Sequence, residues 1–345
     1  MATEDNVEKT TTGGVTHRFI ETNSIRMHLA EQGQGTLVLL CHGFPESWYS
    51  WRSQLSALAG AGYHAVAPDQ RGYGQTDRPD PIEAYTIFHL VGDMVGLLDA
   101  LGEEQAIIVG HDWGANVAWN AALMRPDRFP TVIVLSIPYA PRGPAHGPHA
   151  TIRPTEAMKR MAGDRFFYQL YFQQPGVAEA ELERDVRTTM RRLLYAASGD
   201  VPPAEGWQPI LPAADTAMLT SMADPQTLPG WLTEADIDFY TAQFQHTGFR
   251  GGLNWYRNFD RNWELLAPYS GAKITQPTLF IWGERDPVFE IPGSNRRLER
   301  MANFIPKLHM VPLAGCGHWV QQERAAEVNE TMLAFLRDLQ NPVIK

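Results

Sequence analysis

The sequence predicts an α/β fold: a mostly parallel, doubly wound sheet with a helical cap inserted into it. Three observations carry this. Apolar strand-like runs alternate with helix-period segments from about residue 36 to 140, the pattern of βαβ units. Thr36–Cys41 is apolar almost throughout, as expected of a strand buried on both faces in a parallel sheet. The alternation breaks at Pro141 and resumes at Pro277, so the intervening stretch reads as an insertion. The division that follows is a flexible N-terminus over 1–15, a sheet domain over 16–140 and 271–345, and a helical cap over 141–270.

Taken in order, residues 1–15 are rich in Thr, Gly and Glu and read as loose. His17–Glu21 and Arg26–Ala30 read as two strands joined by the turn-like Thr22-Asn23-Ser24. Thr36–Cys41 is followed by His42-Gly43, then by a helix-like segment from Trp48 to Leu58. His64–Pro68 is a short strand that runs into Asp69-Gln70-Arg71-Gly72-Tyr73-Gly74, where Asp69 and Arg71 are read as fixing a loop. Between Thr86 and Leu101, Leu90, Met94, Leu97, Leu98 and Leu101 recur at helical spacing. Ala106–Val109 is a strand, Ala115–Met124 a helix, and Thr131–Ile137 a further strand stopped by Pro138. The stretch 141–270 shows helix formers, aromatics and Pro-containing loops without an obvious buried strand, and Gly199–Pro229 within it reads as loop of no evident function. Pro277–Trp282 and His309–Leu313 are strands, and Ala325–Leu339 is a closing helix.

Bulk composition narrows the function. With 345 residues, 44% of them hydrophobic and 20% charged, the chain can bury a large core. A net charge of −10 and the absence of any basic run argue against nucleic acid or an anionic membrane as partner. No apolar segment approaches the roughly 18 residues of a membrane span. The polar start Met1-Ala2-Thr3-Glu4-Asp5-Asn6 lacks the basic and apolar regions of a secretory signal. Two scattered cysteines, Cys41 and Cys316, then point to reduced thiols and the cytoplasm. No Walker loop or dinucleotide fingerprint is present, and His146 and His149, between prolines with no acidic neighbours, do not suggest a metal site. No cofactor or metal is expected. The oligomeric state stays open, a homodimer being one outcome.

The chemistry concentrates at Gly110-His111-Asp112-Trp113-Gly114. This is the G-x-S-x-G nucleophile elbow of α/β-hydrolases with aspartate in place of serine, set between a strand and a helix. A serine attacks a carbonyl and needs a base. A carboxylate is already charged at neutral pH and can attack an sp³ carbon, leaving an alkyl ester that water must cleave. Cleavage needs a base and a group to orient it. His318 lies in the glycine-rich Ala314-Gly315-Cys316-Gly317-His318-Trp319, and Asp286 in Trp282-Gly283-Glu284-Arg285-Asp286-Pro287, each just past a strand. Either alone reads as a structural histidine or a turn aspartate. The order Asp112…Asp286…His318 is the nucleophile–acid–histidine order of the fold. His111 is read as ordering the elbow. An oxyanion hole is expected from the backbone N–H groups of Phe44, in His42-Gly43-Phe44-Pro45, and of Trp113.

The leaving atom decides the substrate. A halide suits weak N–H donors such as an indole, whereas an epoxide oxygen becomes an alkoxide and needs an acid such as a phenol. Phe167-Tyr168-Gln169-Leu170-Tyr171-Phe172 and Asn254-Trp255-Tyr256-Arg257-Asn258 offer phenols, but helical spacing places Tyr168, Tyr171 and Phe172 together and does not choose between them. These two segments, together with His42–Trp48, Asp69–Gly74, Gly110–Gly114 and Gly315–Gln322, resemble the soluble-type epoxide hydrolases of the α/β-hydrolase fold, from about residue 17 onward. Haloalkane dehalogenases share much of the core motifs; the cap motifs are the more specific. The resemblance implies that Tyr168 and Tyr256 hold and protonate an epoxide oxygen, with Tyr171 a packing residue or pocket wall, and Phe44 and Trp113 lining the pocket. Bifunctional members of that family carry a phosphatase domain ahead of the hydrolase fold; only about fifteen residues stand there in this sequence, so that activity is not expected. The cap aromatics and 10 tryptophans suggest an apolar or aryl epoxide, with water, as reactants. Two other readings stand beside it: a haloalkane or haloacid dehalogenase using the same aspartate, and a non-catalytic small-molecule-binding protein on this fold.

Overall fold

Side-chain alternation within the central strands sets the architecture. In β4 (Thr36–Cys41), Leu37, Leu39 and Cys41 join one apolar cluster while Val38 and Leu40 join another on the opposite face. In β6 (Ile107–His111) and β7 (Thr131–Leu135), Ile108, Val132 and Val134 go to the first face, and Ile107, Val109, Ile133 and Leu135 to the second. With apolar residues at both parities of a period-2 strand, neither face can be left in water, so helices must cover both. The helices Ile87–Leu101 and Trp113–Met124 cover the first face, and Arg52–Gly60 and Ala325–Gln340 the second.

The computed structural model describes residues 10–12, 14–143, 152–212 and 217–340. Its sheet has nine strands in the order β1 (Thr10–Thr12), β2 (Val15–Thr22), β3 (Ile25–Gln32), β5 (Tyr63–Pro68), β4, β6, β7, β10 (Thr278–Gly283), β11 (Leu308–Leu313). Pairings from β5 through β11 are parallel; β1, β2 and β3 add an antiparallel edge. This is the α/β-hydrolase arrangement expected from the sequence. Asn23 and Ser24 take φ of 44° and 62°, the left-handed pair a two-residue hairpin between β2 and β3 requires.

Departures from expectation have local causes. Within the stretch read as loose, Thr10–Thr12 pairs with β2, β-branched residues extending an open edge; residues 1–9 lie outside the described residues. The first helix starts at Arg52 after a 3₁₀ turn over Trp48–Trp51, because the Ser47 side chain accepts from Tyr49 N–H. β7 stops at Leu135, two residues early, because Ser136 turns into the left-handed region at φ 72°. Between β7 and β10 lie helices including Pro154–Ala162, Val186–Ala196, Glu234–Thr247, Arg250–Tyr256 and Phe259–Leu265. They are accompanied by a small antiparallel pair, β8 (Phe166–Phe167) with β9 (Ile210–Leu211), which the sequence did not signal because two-residue strands carry no period. His146 and His149 lie outside the described residues. Among the described residues, no helix is long and apolar enough to cross a membrane.

The turn from β6 into Trp113–Met124 is the tightest point. A Cβ on Gly110 would run into the Gly114 carbonyl, and one on Gly114 into the carbonyl of Cys41 in β4. Gly114→Ala should therefore cost about 1–3 kcal/mol of stability through overpacking against immovable backbone, read as a lowered midpoint in urea unfolding; an unchanged midpoint would show that the strand and helix can separate there.

Candidate active site

Asp112 sits at the apex of that turn with φ 52° and ψ −117°, a conformation rare for a residue with a side chain. The glycines on either side allow the backbone to hold it there, so the carboxylate projects away from the end of β6. Phe44, after β4, donates its N–H to Asp112 Oδ1 at 2.8 Å. Gly43 permits this approach, since a Cβ there would overlap the Asp112 carboxylate. Among the described residues, Phe44 N–H is the one backbone donor to that carboxylate; the N–H of Trp113 makes no bond to it in this state. Burial by itself would raise the Asp112 pKa, but the hydrogen bond and charge of His318, helped by His111 and the Phe44 N–H, hold it below the ordinary carboxylate value.

His318 follows β11 and faces two carboxylates. Its Nε2 is 3.6 Å from Asp112 Oδ2, and its Nδ1 is 3.2 Å from both carboxylate oxygens of Asp286, which follows β10. Burial disfavours the imidazolium, yet the Asp286 charge and the bonds to both carboxylates outweigh it and hold the pKa well above the usual histidine value. Asp286 also accepts from Val288 N–H at 2.9 Å and from the Ser136 hydroxyl at 2.6 Å. The histidine loop is clamped from behind by the buried Glu323. One carboxylate accepts the N–H groups of Gly317 (2.9 Å) and Trp319 (3.0 Å), the two neighbours of His318, and of Gly199 in the cap (2.8 Å).

The cap brings phenols to this corner. Tyr168 and Tyr256, 6.2 Å apart between ring centres, line a cavity of about 50 Å³ together with Asp112, His318 and Phe44. Burial pushes both phenols far above their usual pKa, with the Asp112 charge adding to it, so both stay protonated at neutral pH. Tyr168 accepts from Gln169 Nε2 at 2.9 Å, which leaves its O–H free to donate.

Two of the expected pocket residues are elsewhere. Tyr171 is not a pocket wall: its hydroxyl donates to Glu181 at 2.6 Å, and it is Tyr168 and Phe172, four residues apart, that face the cavity. The indole of Trp113 does not line the cavity; it packs behind Tyr256, edge-on to that ring at 5.2 Å and stacked on Phe259. Conversely, the stretch Gly199–Pro229, read as of no evident function, supplies Trp207, Met218 and Met222 to the wall. Asp69 accepts from His28 Nδ1 and from the N–H groups of Trp48 and Gln75, and Arg71 pairs with Asp93, both consistent with loop fixing.

Behind the site, His111 does order the elbow, through the buried Glu46 that sequence reasoning missed. His111 bridges the buried Glu46 (Nδ1 to Oε2, 2.8 Å) and the His318 carbonyl (Nε2 to O, 2.7 Å). Glu46 in turn accepts from Gly43 N–H and Gln321 Nε2. Ser136 had a usable signal: like Asp112, Asp286 and His318, it stands just past a strand end.

Fold and site together define a hydrolase of the α/β type whose nucleophile position carries a carboxylate. The family described as alpha/beta hydrolase fold matches residues 36–325. The chain is 46% identical over 330 residues to epoxide hydrolase A of Mycobacterium tuberculosis, covering 95% of this chain and 99% of that protein. It is 44% identical to epoxide hydrolase 1 of Siraitia grosvenorii, covering 94% and 98%. Among solved structures, an epoxide hydrolase from an endophytic Streptomyces superposes with a TM-score of 0.89 at 46% identity, over 96% of this chain and 97% of that one. The chain belongs to the epoxide hydrolases of the α/β-hydrolase fold family.

Glu323→Ala would leave the N–H groups of Gly199, Gly317 and Trp319 buried without partners. We expect a loss of about 3 kcal/mol or more in stability, seen in urea unfolding, together with slower turnover as the His318 loop loosens. Wild-type stability would show that water replaces the carboxylate.

Proposed function

We propose that the chain hydrolyses an epoxide to a vicinal diol through an alkyl ester on Asp112, without a cofactor. The reading rests on one observation above others: a carboxylate held below its usual pKa and two protonated phenols share one narrow, otherwise apolar cavity. An Asp112 oxygen attacks one epoxide carbon and the C–O bond of the ring breaks. The departing oxygen takes a proton from Tyr168 or Tyr256, the second phenol stabilising it by hydrogen bonding. His318 then removes a proton from water as the water attacks the Asp112 carboxyl carbon. The oxyanion that forms is held by the Phe44 N–H and, as the carboxylate rehybridises, by that of Trp113. Collapse expels the alkoxide, which takes the proton from His318. His318 becomes free to act as base by handing its own proton to the phenolate, and the second proton of water, left on the carboxyl, restores the imidazolium at the end, so one water is consumed and the diol carries an oxygen from Asp112.

The substrate that fits is small or flat, uncharged and apolar, an alkyl or aryl epoxide. Phe172, Leu193 and Val288 bring no polar side-chain atom to the wall, while Met218 and Met222 form an adaptable surface. The two cysteines are free and buried, which supports a reducing, cytoplasmic setting.

The test is an aryl epoxide and a bromoalkane given in parallel, with diol and bromide assayed and Asp112→Ala as control. Diol without bromide, lost in the variant, is expected; bromide without diol would take the leaving-group role away from the two phenols and overturn the epoxide reading. His318→Gln should stall at the ester, seen as a mass increase equal to the substrate. Tyr256→Phe should slow ring opening by roughly 100-fold, the equivalent of about 3 kcal/mol for one transition-state donor, with some activity left through Tyr168; an unchanged rate removes its assignment. A single turnover in heavy-oxygen water should yield unlabelled diol.

A further inference from the structure

Among the described residues, Ser136 is the one side chain outside the reaction above that hydrogen-bonds to both members of the Asp286–His318 pair. Its Oγ is 2.6 Å from Asp286 Oδ2 and 3.1 Å from His318 Nδ1. Because the carboxylate only accepts, the hydroxyl proton points to Asp286, which leaves an oxygen lone pair for the N–H at Nδ1. The Asp286–His318 contact is itself long and shared, 3.2 Å to each oxygen. Ser136 thus closes a three-membered hydrogen-bonded ring whose shortest side is its own bond. The imidazole cannot turn without breaking two contacts, and Nε2 stays aimed at Asp112.

The backbone supports the same view. Ser136 is fully buried and sits at φ 72°, where glycine would be unstrained. A residue with a side chain is kept there, and that side chain bonds to nothing but the pair. From the structure we infer that Ser136 is a positioning residue for ester hydrolysis, its hydroxyl setting the orientation of His318 and moderating the grip of Asp286 on the Nδ1 proton. The inference rests on the proposed role of His318 as base.

Its signature is a split between the two chemical steps. Alkylation uses Asp112 and the phenols, so it should be nearly unaffected in Ser136→Ala. Hydrolysis should slow by about 3- to 10-fold, the effect of one net hydrogen bond. The pH profile supplies a second sign. Without the 2.6 Å hydroxyl donor, the Asp286 carboxylate has only the imidazolium and the Val288 N–H as donors and holds the imidazolium to higher pH; the lost acceptor at 3.1 Å acts the other way but is the weaker contact. The acid limb of the hydrolysis rate should therefore move up by about half a pH unit to one. The other ionisable groups around the pair are Asp112, His111, Tyr168, Cys316 and Glu323, and the substitution removes none of them.

The experiment is rapid-quench mass analysis of alkyl-enzyme formation and decay with an aryl epoxide across pH, on wild type, Ser136→Ala, Ser136→Gly and His318→Gln. Ser136→Gly also lacks the hydroxyl but relaxes the backbone, so it covers the case in which the alanine variant folds poorly. Slower decay and a raised acid limb in both serine variants, with unchanged formation, is the expected result. Unchanged decay, parallel losses in both steps, or wild-type decay in Ser136→Gly alone would each overturn the proposal, the last by showing that backbone and not hydroxyl matters. A His318→Gln variant that retains no ester would remove the histidine's role as base, and the proposal with it.

Discussion

The arrangement depends on keeping charge buried. Asp112, Asp286, Glu46 and Glu323 crowd around His318 and His111, with Asp286, Glu46, Glu323 and both histidines buried. An unpartnered carboxylate in such a place would simply take up a proton. Each is therefore given fixed donors: Phe44 N–H on Asp112, Val288 N–H and the Ser136 hydroxyl on Asp286, Gly43 N–H on Glu46, three loop N–H groups on Glu323. Most come from backbone just beyond a strand of the parallel sheet. Side by side, those strands deliver several loop ends to one edge, where N–H groups can be aimed at points a few ångströms apart. The sheet supplies the donors, and the donors make the buried charges tolerable.

The same economy of polar contacts ties the cap to the core. The backbone N–H of His318 donates to Ala197 O, and Glu323 accepts from the Ser198 hydroxyl and the Gly199 N–H, so the loop bearing His318 is held partly by cap residues. On the far side, Trp255 Nε1 donates to Arg71 O at 3.1 Å, one residue before Tyr256. Asp236, which closes the capping box of helix Glu234–Thr247, also pairs with Arg52 and Tyr49 of the core. The phenols are thus located relative to Asp112 by bonds on both sides of the cavity. Positioning of this kind is what a displacement at carbon requires, because reacting atoms must be aligned before the bond forms.

Legibility in the sequence followed the length scale of each signal. The central strands and their covering helices were readable because apolar residues recur at period 2 or 3.6 over many positions. Asp112, Asp286 and His318 were readable because each occupies a post-strand slot in a chain order the fold dictates. The cap was legible as a helical insertion but not in its internal arrangement, which is set by contacts distant in sequence. Tyr171 and Phe172 are neighbours, yet a turn of the short helix Tyr168–Tyr171 sends one to Glu181 and the other to the cavity. The tyrosine pair itself came from resemblance, not from spacing. Trp113 was placed in the pocket from the resemblance, whereas aromatic packing against Tyr256 and Phe259 draws its ring behind the wall. Glu323 escaped notice because its hold on the nearby His318 loop and on Gly199, 124 residues away, forms only in the folded chain, and Ser136, despite its place just past a strand, because the carboxylate it bonds to is 150 residues away.

One conflict within the site resolves in terms of the proposed chemistry. A base must be neutral to accept a proton from water, yet His318 rests between two carboxylates that hold it protonated well above the usual pH. Alkylation changes this. Once Asp112 becomes an ester, its charge and its ionic bond to Nε2 are gone, and of the two carboxylates that support the imidazolium only Asp286 remains. Desolvation, the largest influence on this group, then has less to oppose it and the pKa falls. The imidazolium that steadied the nucleophile before attack becomes, after attack, an imidazole able to activate water, and the proton it sheds can pass to the phenolate left by ring opening. The nucleophile's own charge therefore times the base: His318 is held out of use until there is an ester for water to attack.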